Sequence, residues 1–122
     1  MWDSMTPIQQ NNWLAEHVMG WEKRPVKPDF PDDIVWVNKE GDIMYCDCDW
    51  QPTSDISAAF EVQEKIKEMD GHIQVGFVSR LYEILDIPFN KLLTTGNALK
   101  LIHATPEQRC KAAYLAIGEG KK

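Results

Sequence analysis

"IVWVNKEGDIMYCDC", residues 34–48, sets two apolar runs around a polar turn. Ile34 to Val37 is β-branched and aromatic, and Lys39-Glu40-Gly41-Asp42 interrupts it before Ile43 to Cys48 resumes. That pattern spells a β-hairpin. Alternation from Ile43 puts Ile43, Tyr45 and Asp47 on one side. Met44, Cys46 and Cys48 occupy the other, which reads as the core side.

Helical signals flank the hairpin. Upstream, Thr6-Pro7-Ile8-Gln9 offers a cap, a proline suited to the first helical position, and a glutamine three residues after the cap. The helix is expected to run to about Met19 and stop at Gly20. Trp13, Leu14, His17, Val18 and Trp21 recur at helical spacing along it. Between that helix and the hairpin, Pro25, Pro28 and Pro31 recur every third residue. Each removes a donor and stiffens the chain, so Glu22 to Asp33 reads as a structured covering loop.

Downstream, Thr53-Ser54-Asp55 opens a second helix, with Ser54 or Asp55 able to cap it. Ile56, Ala59, Phe60, Gln63, Ile66 and Met69 or Asp70 trace its buried stripe, and Gly71 ends it. His72 to Val78 alternates like a strand, with Ile73, Val75 and Phe77 inward. Leu81 to Ile87 and Ala98 to His103 read as further strands, and Phe89 to Asn97 is ambiguous. Thr105-Pro106-Glu107-Gln108 repeats the opening grammar, so a last helix spans about Pro106 to Ile117, with Cys110 on its core face. The expected architecture is α+β: a layered sandwich of an antiparallel sheet with about three helices, forming a single domain over residues 1–122.

Composition narrows the function. The chain has 122 residues, is 43% hydrophobic, carries five tryptophans and has a net charge of −6. Its basic residues form no run longer than a pair, and the tail pair Lys121-Lys122 reads as a solvated end, so a DNA or RNA polymer is not an expected partner. A small anionic ligand needs only two converging arginines. No apolar run approaches the roughly 18 residues of a membrane span. The N-terminus lacks a basic region followed by an apolar run, so the cytoplasm of whatever cell makes the chain is the expected compartment. No cofactor is expected.

Cys46 and Cys48 supply at most two metal ligands, whereas zinc takes about four. Cys110, His17, His72 and His103 remain as candidates, but none falls in Cys-x-x-Cys or Glu-x-x-His spacing. The cysteines are expected to be reduced, half-buried and free of metal.

Three blocks resemble a known family. They are "WLAEHVMGWE" at Trp13–Glu22, "TSDISAAFEVQEKI" at Thr53–Ile66 and "TPEQRCKAAYLAIG" at Thr105–Gly118. The chain is similar in these blocks to the small phage and prophage proteins of the phage ABA sandwich domain. It departs from their pattern at Phe60, where the family has tryptophan, and at Tyr114. The segment from Phe77 to Thr95 matches poorly. A narrower resemblance is to the phage anti-Thoeris proteins, dimers that bind cyclic ADP-ribose isomers and withhold them from a bacterial defence system without degrading them. That resemblance implies a homodimer and a non-catalytic nucleotide sponge acting in the bacterial host cytoplasm.

The chemistry such a ligand needs is an aromatic face for adenine and donors for a pyrophosphate. Phe60 and Trp21 are the candidate faces; Arg80 and Arg109 are the candidate donors. Arg109 also lies in the first turn after Pro106, where free N–H groups favour an anion. Two other classes compete. An enzyme has little support, because no nucleotide-binding glycine loop or nucleophile elbow occurs; Asp47 and Asp49 are the one close acidic pair in the strand-like segment. A protein-binding module is the stronger alternative, with Trp2, Trp13 and Trp36 as anchors.

Overall fold

A computed structural model describes residues 1–27, 29–89 and 92–118, with backbone alone at 30–32. The contacts divide the chain into two compact units, Met1–Gln51 and Pro52–Lys122.

The N-terminal unit opens with a single 3-10 turn, Trp2–Ser4, followed by α1 (Pro7–His17). Both halves of the expected capping box are present. Thr6 Oγ1 accepts from Gln9 N at 3.2 Å, and Gln9 Oε1 accepts from Thr6 N at 2.8 Å. Beyond α1 the chain turns through Gly20, whose φ of +74° favours glycine, and Trp21 N–H donates to Ala15 O. Leu14, Val18 and Trp21 are buried, while Trp13 is half-buried and His17 exposed.

Strands β1 (Glu22–Lys27), β2 (Phe30–Val37) and β3 (Ile43–Cys46) form one antiparallel sheet in that order. The hairpin is where the sequence puts it. Trp36 lies opposite Tyr45, Gly41 has φ +85°, and Asn38 Oδ1 accepts from the N–H groups of Glu40 and Asp42. The expected covering loop is instead largely strand: Glu22 pairs with Val37 and Pro25 with Ile34. An edge strand leaves one side of its backbone unpaired, so Pro25 can sit there without breaking the ladder. The register slips between Pro25 and Lys27.

The expected inward side of β3 is also corrected. Met44, Cys46 and Cys48 are exposed, and Tyr45 is the most sheltered residue of the strand. Its ring centroid lies 5.8 Å from Trp21 and 5.0 Å from Trp50. Two large rings to pack against outweigh a simple alternation rule. Trp36 is fully buried with Lys23 Nζ 5.2 Å from its ring centroid, and its indole N–H has no acceptor among the described residues.

The C-terminal unit holds α2 (Ile56–Lys67), α3 (Gly71–Ile84), α4 (Thr95–Ile102) and α5 (Pro106–Gly118). Asp55 caps α2 by accepting from Ser57 N, and Thr105 and Gln108 close a second capping box at α5. The α+β class holds, but five α-helices stand among the described residues where about three were expected.

The extra helices replace expected strands. Residues 72–78 belong to α3, where Phe77 and Leu81 are buried one helical turn apart and Val75 is 58% exposed. Short apolar runs do not separate strand from helix by periodicity; packing decides. Gln74 ties the α2–α3 corner by donating to Lys67 O and Met69 O, both at 2.9 Å. Gly71 therefore starts α3 instead of only ending α2. The α3 helix ends in a Schellman arrangement: Asp86 is left-handed at φ +58°, and Ile87 N–H reaches Tyr82 O at 2.8 Å. Residues 98–103, also expected as strand, belong to α4 and its C-cap His103.

Helices α2 and α3 both pack on α5, whose buried face includes Cys110, Ala113 and Ile117. Small residues allow the α3 approach: a Cβ on Gly76 would meet Ala116 Cβ at 3.6 Å, ordinary contact distance. Gly76→Ala is therefore expected to stabilise the unit by about 0.5–1 kcal/mol, by removing glycine's unfolded-state freedom. Urea unfolding of the two proteins checks it; a lower midpoint for the alanine form means the approach is tighter than ordinary contact.

Candidate ligand-binding site

Arg109 and Phe60 come together in the C-terminal unit. Phe60 sits one turn into α2, and Arg109 is the fourth residue of α5. The guanidinium carbon lies 5.0 Å from the Phe60 ring centroid, within cation–π range. Phe60 is not the core residue its stripe suggests, because it is 45% exposed. The buried residues of α2 are Ala58, Ala59, Val62 and Ile66, which turns Phe60 to the border of that face. An aromatic ring backed by a cation is thus offered at the surface.

The donors of Arg109 are largely committed. Nε donates to Ala104 O at 3.1 Å, and Nη1 to Gln63 Oε1 at 2.9 Å. Nη2 donates to Leu101 O at 3.0 Å and Ile102 O at 3.3 Å. The residue is 7% exposed, and burial pulls the guanidinium below its ordinary pKa. Gln63 and the carbonyls at the end of α4 complete this cluster. Gln63 is on the expected stripe of α2, three residues beyond Phe60 on the same helical face. The carbonyl acceptors carry no side-chain signal at all.

Arg80 lies on α3, with its side chain 37% exposed and Nη1 3.4 Å from Glu83 Oε2. Exposed pairs of this kind are weak and exchange readily. Trp21 belongs to the N-terminal unit. It is 6% exposed, with Trp50 edge-on at 4.7 Å between ring centroids, so most of its surface goes to packing.

The thiols divide sharply. Cys46 and Cys48 are exposed and Cys110 is buried. Burial, with Glu107 adding, pushes the Cys110 thiol up to about 12. The Cys48 thiol is also raised, first by Asp49, then by desolvation and Asp47. Among the described residues, no three His, Cys, Asp or Glu side chains gather where a metal could be held. No helix among them is long and apolar enough to cross a membrane.

A mixed protein with one antiparallel sheet and helices that bury mainly alanine, valine and isoleucine belongs to the α+β class. More particularly, the family model described as the phage ABA sandwich domain matches residues 12–114, and the chain belongs to that family. No curated protein and no solved structure matches it.

Proposed function

We propose that this phage-family protein is a non-catalytic binder that captures a cyclic ADP-ribose isomer and so withholds a defence signal. The observation that carries the reading is the meeting of Phe60 and Arg109. They come from two separate blocks of the family resemblance, and their contact leaves a half-exposed aromatic ring backed by a cation. Adenine stacks on such a ring, and stacking on one aromatic side chain is worth about 1–3 kcal/mol. In this reading Phe60 is the platform, Arg109 holds it from behind, and Arg80 is the more accessible guanidinium for the pyrophosphate. Trp21 shapes the N-terminal unit more than it meets ligand.

Calorimetry with cyclic ADP-ribose isomers tests the reading, followed by mass spectrometry of ligand released on denaturation. Tight binding with unchanged ligand mass is expected. Phe60→Ala should weaken it by about five- to 150-fold, with little change in stability because the ring is half-exposed. A hydrolysed product would turn the reading towards an enzyme.

A second reading, a non-enzymatic protein-binding module acting on a host or phage partner, has its own observation. Leu92 is 95%, Ile102 68% and Leu99 50% exposed, and α4 has no buried residue. Apolar side chains so placed suit a polypeptide surface. Absence of heat with every isomer would favour this reading over nucleotide capture.

A further inference from the structure

We infer that α4 is a detachable flap and that Arg109 is its latch. The inference goes beyond nucleotide capture and does not depend on it.

Helix α4 has only eight residues, and Gly96 lies in its first turn. Isolated helices shorter than about 12–15 residues are marginal in water, so α4 needs support from outside itself. Burial supplies little of it. None of its residues is buried, and only Asn97, Ala98 and Leu101 are even half-buried. Its N-terminus is capped from within the segment, by Thr94 Oγ1 accepting from Asn97 N at 3.1 Å.

The C-terminus is different. There the last carbonyls, which carry the negative end of the helix dipole, face a cation. Arg109 Nη2 donates to Leu101 O and Ile102 O, and Nε donates to Ala104 O just beyond. The same guanidinium is fixed on its other side by Gln63 Oε1 and the Phe60 ring. One side chain of α5 thereby joins a helix with no fully buried residue to the α2–α5 body.

A latch made of charge-assisted hydrogen bonds is exchangeable. Carbonyl oxygens are neutral acceptors, and an anionic oxygen pair fits the guanidinium fork better. A phosphate or carboxylate that takes the Nη2 and Nε donors leaves the end of α4 uncapped. The flap is closed when Arg109 holds its carbonyls and open when an anion holds Arg109.

Hydrogen exchange on the full chain, read by mass spectrometry, tests this. Arg109→Lys keeps the charge but not the fork. Gln63→Ala keeps Arg109 and removes its outer anchor. In both variants, exchange over residues 97–104 is expected to speed up by about ten- to a hundredfold. Exchange in α2, α3 and α5 should change by less than about threefold. Inorganic pyrophosphate added to the unmodified protein should likewise speed exchange in α4 alone.

Equal acceleration through α2, α3 and α5 in Gln63→Ala would show a general core support and overturn the latch. Unchanged α4 exchange in both variants would also overturn it. Unchanged or slower α4 exchange with pyrophosphate would overturn release by an anion.

Discussion

Trp50→Ala is expected to cost about 3–5 kcal/mol of stability, a large share of the roughly 5–15 kcal/mol that holds a typical domain together. Trp50 is 1% exposed and sits edge-on to Trp21, with Tyr45 on a further side. Its Nε1 donates to Asn11 O at 2.9 Å, linking α1 to the end of the hairpin segment within one unit. Alanine removes the ring, opens a cavity between two other rings, and removes the indole donor to Asn11 O. Trp50→Phe separates these effects, because it keeps an aromatic ring and removes the N–H. It should cost less than the alanine form. Urea unfolding of the three proteins decides; equal losses for phenylalanine and alanine would mean the hydrogen bond outweighs the ring packing.

The second large effect is chemical. In the folded protein, iodoacetamide should modify Cys46 and Cys48 and spare Cys110. Cys110 is 0% exposed, and its Sγ lies 3.3 Å from Pro52 O. Only the thiolate attacks, and burial has moved that form to about pH 12. Modification of Cys110 therefore waits for opening, so its rate should trail by about a thousandfold or more. Mass spectrometry should find two adducts in native buffer and a third only in denaturant. A third adduct forming at a comparable native rate would show that α5 is not packed as described. Asp49 raises the Cys48 thiol, so near neutrality Cys48 holds less thiolate and should react more slowly than its exposed-thiol value allows. That deficit should close as pH rises through its pKa.

Local features were legible in the sequence. The capping boxes at Thr6–Gln9 and Thr105–Gln108 and the Asp55 cap each span a few residues and rest on side chains that declare themselves. The turn at Asn38–Asp42 was equally local. Features decided by packing were not. Residues 72–78 alternate as a strand does, yet they belong to a helix that packs on α5, with Phe77 and Leu81 buried one turn apart. Pro25 read as a loop marker because a sequence does not announce an edge strand. The candidate site was half legible: the types at Phe60 and Arg109 suggested stacking and anion chemistry. Their contact, and the loss of Arg109's donors to the α4 carbonyls, depend on backbone groups that no residue letter encodes.

All five tryptophans precede Pro52, whereas the described helices beyond it carry only Tyr82 and Tyr114 as phenolic rings. Fluorescence excited past the tyrosine band therefore comes from residues 1–51 alone. Far-ultraviolet dichroism is weighted towards α2–α5. One sample thus yields two optical channels, each tuned to a different half of the chain. Denaturation curves that coincide in both channels would report a single cooperative melt, and curves that separate would resolve two. A ligand stacking on Phe60 would be silent in the emission channel unless its effect travelled to the other half.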